Sequence, residues 1–191
     1  MTISRLVAEH VAGAAPENKV ILIDCFAGVG GNAIAFAQSS KWKRVYAIEK
    51  DSKALACAKH NAQIYGVRDR ISWYEGDCFT ILQNELAELA PHSVHFASPP
   101  WGGEPDRFPS RMLPVPLTDA GPGYRSDVIF DLTKMQPYTL LDLLKPFQEP
   151  AHDVVLYLPR NSDMRQIANQ SKGSSKITVI HYCMEGASKV T

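Results

Sequence analysis

Three short apolar runs each close on an acid and then give way to a helix-patterned segment. They are "KVILIDCF" before "GGNAIAFAQSS", "RVYAIEK" before "SKALACAKHNAQIYG", and "RISWYEGD" before "FTILQNELAELA". A short apolar run without alternation suits a strand covered on both faces, as in a parallel sheet flanked by helices. "SVHFAS" and "DVVLYLPRN" continue the series to a fourth and a fifth strand, and "KITVIHYCM" to a last one. "ISRLVAEHVA" puts Ile3, Leu6, Val7 and Val11 on one helical face, so an amphipathic helix within residues 1–15 opens the chain. Asp51 stands where a helix N-cap belongs and Gly66 where that helix stops. Ser162 is the expected cap of a short helix over "SDMRQIANQ", and "FDLTKMQPYTLLDLLKPF" is helix-like with an interruption at Pro137. The alternation predicts a doubly wound, Rossmann-like α/β sheet with parallel central strands.

The 191 residues show no internal repeat and read as a single domain, 1–191, carrying a Pro/Gly-rich surface insertion over 102–126. Lys+Arg and Asp+Glu balance at 20 each. A broad nucleic-acid-binding surface shows a basic excess, so this balance points instead to a small site that recognises one nucleotide. Cys25, Cys57, Cys78 and Cys183 are scattered without a C-x-x-C pair, which favours a reducing compartment and no structural zinc. None of the 6 histidines has a metal or triad partner at recognisable spacing, so neither metal chemistry nor covalent catalysis is expected. The N-terminus lacks the apolar core of a signal peptide, and no apolar run approaches a membrane span. "KWKR" reads as the solvated end of a helix-to-strand loop, and Trp42 and Trp73 as packing residues.

In doubly wound sheets ligands bind beyond the carboxyl ends of the strands, and the motifs of this chain fall there. "DCFAGVGGN" joins the first strand to the next helix, and its glycines permit a tight turn with close backbone approach to a ligand. Gly28, Gly30 and Ala33 satisfy the G-x-G-x-x-A dinucleotide pattern, with Glu49 about 20 residues on, so a nicotinamide dehydrogenase is one competitor. Two features favour S-adenosylmethionine. Asp24, just before the turn, can meet a cationic amino-acid end but would repel a pyrophosphate. Asp77, in "EGD", can accept from an adenine amine while Glu49 takes the ribose hydroxyls. The plainer reading of all three acids is as helix caps or loop residues.

"HFASPPWGG" runs a strand straight into Ser-Pro-Pro-Trp. Prolines offer no N–H, so this turn presents carbonyls without competing donors. Ser98 and the carbonyls near Pro99 can accept from an exocyclic amine and take up the positive charge that develops as it is alkylated. Trp101 supplies a stacking face, and a cationic base adds cation–π attraction.

Together "DCFAGVGGN", "VYAIEKD", "HNAQIYGV", "EGDCF", "SPPWGG" and "LYLPRN" resemble the trimethylguanosine synthases, over about Ser4 to Ile180. The resemblance implies a class I methyltransferase fold that uses S-adenosylmethionine to methylate N2 of a 7-methylguanosine RNA cap, giving the 2,2,7-trimethyl form. It implies that Trp101 stacks on the base and that Ser98 and Pro99 hold the amine. Arg160 and Asn161 would contact the cap nucleotide, and Arg5 and Arg107 its phosphates. Asp24, Phe26, Gly28, Gly30, Asn32, Glu49, Asp77 and Ser98 would line the cofactor pocket. Small nuclear and nucleolar RNAs as partners, and a nuclear location in nucleolus or nuclear bodies, follow from the resemblance alone. "WGGEPDR" carries an extra residue against the family spacing, and the family's final antiparallel strand is expected to be missing. Other readings are an amino methyltransferase acting on a different RNA or DNA base, and an inactive module that binds cap or cofactor.

Overall fold

The computed structural model describes residues 3–101, 129–147, 152–171 and 177–180. The chain separates into two compact units. One is Met1–Pro99 with Asp142–Tyr157; the other is Pro100–Leu141 with Leu158–Thr191.

The first unit is built on a parallel sheet of β1 (Ile21–Asp24), β2 (Arg44–Glu49), β3 (Ile71–Glu75), β4 (Ser93–Ala97) and β5 (Asp153–Leu156). Their order is β3-β2-β1-β4-β5, and every neighbouring pair is parallel. The chain therefore winds outward from β1 in one direction and then in the other, and the switch point lies between β1 and β4. Helices α1 (Ile3–Ala14), α2 (Gly31–Gln38), α3 (Ser52–Ile64) and α4 (Cys78–Asn84) complete the winding.

Alternate strand residues divide between two cores, as the pleat requires. Leu22, Val45, Ala47, Val94 and Phe96 join Val7, Val11, Phe36 and Trp42 in one. Ile23, Ile48 and Ala97 join Ile81, Leu82 and Leu86 in the other. Phe36 is the hub of the first core. It is fully buried, with its ring centroid 5.0 Å from Phe96 and 6.5 Å from Trp42, both edge-on. Edge-to-face pairs at this spacing add to the burial of the rings themselves. Trp42, inside "KWKR", is buried, while Lys43 and Arg44 on either side of the strand start are exposed.

Several expectations shift in detail. The buried face of α1 is Val7, Ala8 and Val11, and Ile3 is 50% exposed, so the apolar face is narrower than the sequence pattern drew it. "FTILQNELAELA" is not one helix: α4 ends at Asn84, and a 3-10 turn at Ala87–His92 containing Pro91 carries the chain to β4. The break is marked by the Leu86 N–H, which reaches back to the Ile81 carbonyl at 3.1 Å and seats Leu86 in the core. Asp51 caps α3 as expected, accepting from Lys53 N at 2.7 Å and Ala54 N at 3.2 Å. Gly66, at φ +69°, supplies the left-handed residue just past its end.

Within the second unit, a parallel bridge joins Phe130 to Ser162 ahead of α6 (Met164–Ala168). The cap of α6 is Asp163, not Ser162. The Asp163 carboxylate accepts from Arg165 N at 2.9 Å, while the Ser162 hydroxyl donates to the Pro159 carbonyl at 2.6 Å. Ser162 is thus engaged in the turn before the helix. Around Pro137 the helical pattern is interrupted as expected. A 3-10 turn at Leu132–Lys134 precedes it; α5 (Leu140–Leu144) and a further 3-10 turn at Lys145–Phe147 follow. Ile177–Ile180 lie outside any ladder and are exposed, so the described part of "KITVIHYCM" is no strand. The rest of that segment and the insertion over 102–126 lie outside the described residues.

Phe36→Ala is expected to lower unfolding stability by about 3–5 kcal/mol, the cost of emptying a well-packed aromatic site. Ile3→Ala should cost less than about 0.5 kcal/mol. Urea unfolding of both variants checks the contrast.

Candidate cofactor and base site

Asp24, the last residue of β1, is fully buried. The Phe26 N–H donates to its Oδ1 at 3.3 Å, and its Oδ2 makes no hydrogen bond. Burial pushes this carboxyl up to about 7. The Phe26 N–H opposes the rise, the Glu49 charge adds to it, and the Ala33 N–H opposes it. A buried carboxylate with an unshared oxygen is costly to keep, and such groups concentrate where a ligand is bound.

Above Asp24 runs the glycine turn. Gly28 and Gly30 have φ of +53° and +90°, and a Cβ at Gly30 would lie 3.1 Å from Ala58 Cβ on α3. Only glycine fits that second position, for both conformation and space. The turn is tied to the second strand by Glu49. Its Oε2 accepts from Gly28 N at 2.7 Å and its Oε1 from Asp51 N at 2.8 Å. Ala27 N adds a bond to the Ile48 carbonyl at 2.9 Å, and Asn61 of α3 donates to the Val29 carbonyl at 2.9 Å. Phe26, half-buried, meets Phe79 edge-on at 6.4 Å. After β3, Asp77 caps α4 by accepting from Thr80 N at 3.0 Å and Thr80 Oγ1 at 3.2 Å. The cap role foreseen for the acids is therefore met at Asp77. Glu49 acts as a loop tie, and Asp24 is neither.

Ser98 and Pro99 follow β4 in the same unit. Asn32, in the first turn of α2, donates to Ser98 Oγ at 3.5 Å, so the glycine-turn helix and the proline motif meet. Arg5 is exposed on α1 and pairs with Glu9 at 2.9 Å. Its neighbour Ser4 lies near the turn, 3.6 Å from where a Cβ on Gly31 would stand. That ion pair lies along α1 itself, and Arg107 lies outside the described residues. In the second unit Trp101 is half-buried and Arg160 exposed, and the Asn161 carbonyl accepts from Phe130 N at 2.7 Å. Sequence reading passed over Asn61, although it lies in the quoted "HNAQIYGV", and over Gln166. Nothing in a linear pattern links Gln166 to its partner Asp131, 35 positions away.

His95 is buried within β4, with ring centroids of Phe147 and His152 each 5.0 Å away. Burial, with the His152 charge second, lowers its pKa to about 4, so it is a neutral core residue at physiological pH.

A winding order that places β1 between β2 and β4, with a glycine turn after β1, sets this protein among the doubly wound α/β folds. More particularly, the chain belongs to the RNA cap guanine-N2 methyltransferase family, whose model matches residues 19–107 and 115–191. It is similar to the trimethylguanosine synthase of Schizosaccharomyces pombe, at 31% identity over 170 residues, covering 88% of this chain and 62% of that protein. It is also similar to the trimethylguanosine synthase of Saccharomyces cerevisiae, at 30% identity over 171 residues, covering 89% of this chain and 48% of that one. The chain thus spans about half to three-fifths of the length of these relatives. A solved RNA methyltransferase from Salinibacter ruber, in complex with S-adenosyl-L-homocysteine, is 24% identical over 52% of this chain and 60% of that one. The TM-score is 0.40.

The raised pKa of Asp24 has a stability consequence with a definite sign. The folded chain holds this proton more tightly than the unfolded one, whose carboxyl titrates at 3.8. Stability without ligand therefore falls as pH rises from about 4 to about 7, by up to roughly 4 kcal/mol. Asp24→Asn, neutral throughout, is expected to be more stable than the parent at pH 8 and to lose that advantage near pH 4. Urea unfolding at the two pH values checks this.

Proposed function

We propose that this chain transfers methyl groups from S-adenosylmethionine to N2 of the 7-methylguanosine cap of RNA, giving the 2,2,7-trimethyl form. The observation that carries the reading is the course of the family match, which runs through the glycine turn, Ser98–Trp101 and Arg160–Asn161 alike. Because the match takes in residues of both compact units, we treat the chain as one methyltransferase domain.

The donor set suits this cofactor. The unshared Oδ2 of Asp24 fits a cationic amino group, and each Glu49 oxygen keeps a lone pair for a ribose hydroxyl beyond the backbone N–H it already accepts. Asp77 answers the adenine amine, with Phe26, Gly28, Gly30, Asn32 and Ser98 completing the pocket. The cofactor supplies an electrophilic methyl group on a sulfonium.

The chain's own residues supply positioning and charge. N2 of guanine is a weak nucleophile because its lone pair is delocalised into the ring. Ser98 Oγ, with one lone pair engaged by Asn32, has a second for an N2 proton, and the Pro99 region adds a carbonyl acceptor. These acceptors stabilise the positive charge that builds on the amine as the methyl group arrives. Trp101 holds the base by stacking, and the delocalised positive charge of 7-methylguanine strengthens that contact over the one unmethylated guanine would make. Arg160, Asn161, Arg5 and Arg107 are assigned to the cap nucleotide and its phosphates. Small nuclear and nucleolar RNAs are the proposed substrates and the nucleus, with nucleolus or nuclear bodies, the proposed location; both rest on the family resemblance.

Calorimetric titration of m7GpppA and GpppA into protein saturated with S-adenosylhomocysteine tests the reading. The methylated cap should bind at least about tenfold more tightly, in keeping with a charged stack of ~1–3 kcal/mol, and Trp101→Ala should abolish the preference. Equal affinity for the two caps would contradict it.

A further inference from the structure

The assignment of Arg160 and Asn161 to the cap leaves open what holds their turn in place. Arg160 is exposed, and the turn it belongs to joins β5 to α6. The structure answers within the second unit. Phe130 N donates to the Asn161 carbonyl at 2.7 Å, and Asp163 N donates to the Phe130 carbonyl at 3.0 Å. The turn is therefore pinned by a separate segment of chain, residues 130–132. That segment is in turn gripped from α6 by one side chain. Gln166 accepts from Leu132 N at 2.7 Å with its Oε1 and donates to Asp131 Oδ1 at 2.7 Å with its Nε2.

Both ends of the amide are in use, and the two bonds together require a side chain that carries a donor and an acceptor on one fork. Asp131 is the fixed partner. Its Oδ1 also accepts from Thr133 Oγ1 at 2.7 Å and Thr133 N at 3.0 Å, and Lys134 stands 3.6 Å from its Oδ2. The Thr133 hydroxyl first, then Gln166, holds this carboxyl down to about 2, so it is a permanent anion at working pH. Gln166 thus closes a loop of hydrogen bonds that begins at the Asn161 carbonyl and returns to the helix following it.

We infer that Gln166 is a positioning residue for the Arg160–Asn161 turn, and that through it the Asp131 segment sets how tightly the cap nucleotide is held. This rests on the assignment of Arg160 and Asn161 to the cap. The cofactor residues lie in the other unit, so the expected effect is selective.

Gln166→Ala is expected to weaken m7GpppA binding about tenfold, the weight of one hydrogen bond to a charged group. S-adenosylhomocysteine affinity should stay within about twofold. In a transfer assay the loss should fall on KM for the cap, with kcat at saturating cap within about twofold. Gln166→Glu keeps the size of the side chain but sets a carboxylate against Asp131. Its cap affinity should be weak at pH 7.5 and recover toward the parent's near pH 5, where the new carboxyl takes up a proton and can donate again. That variant also supplies the test if Gln166→Ala does not fold. Unchanged cap affinity in both folded variants, or a loss shared equally by cap and cofactor, would overturn the inference while leaving the functional reading intact. Failure of the parent protein to distinguish m7GpppA from GpppA would instead overturn the functional reading, and the inference with it.

Discussion

The loops at the carboxyl end of the first unit's sheet depend on one carboxylate. Glu49 closes β2 and accepts backbone N–H groups from both sides, Gly28 in the first loop and Asp51 in the second. A single side chain thereby fixes the glycine turn against the start of α3, and α3 returns the contact through Asn61 and through the close approach of Ala58 to Gly30. Two left-handed glycines would otherwise leave this turn pliable. Charge-assisted bonds from a carboxylate to peptide N–H groups are among the stronger hydrogen bonds a protein makes. Here they convert a flexible sequence into a defined cradle.

Asp24 shows the opposing tendency. Its carboxylate is withdrawn from water at the carboxyl end of the sheet's middle strand, satisfied on one oxygen only. Leu22 and Ile23 before it are simple core residues. The position opposes stability, and under the proposed function its rationale is the cationic amino group it would meet. Proteins commonly concentrate such conflicts between folding and function at the binding site.

How far the sequence can be read follows from the range of each interaction. Strands, caps and stops depend on neighbours in the chain, so Asp51, Gly66 and the five parallel strands could be read directly. The α1 face and the α4 break depend on what packs across from them, and there the pattern gave only an approximation. Ser162 and Asp163 are both good capping residues; the Ser162 hydroxyl is taken by the Pro159 carbonyl, its backbone is bridged to Phe130 from far along the chain, and Asp163 is the cap. The same holds for the site. Asp24, Glu49 and the glycine turn announce themselves by motif. Gln166 does not, because its meaning lies in Asp131 and Leu132, which come together with it only in the folded chain.

The central claim, that this fold positions a methyl donor for a base already bearing its own positive charge, is a claim about chemistry on one atom. It is tested most directly by incubating the protein with S-adenosylmethionine and short RNAs capped with either 7-methylguanosine or unmethylated guanosine, then weighing the released cap nucleotides. The account predicts one or two added methyl groups at N2 of the 7-methylguanosine cap and none on the unmethylated cap. Equal methylation of both caps, methylation of an internal base, or cap binding without any transfer would contradict it.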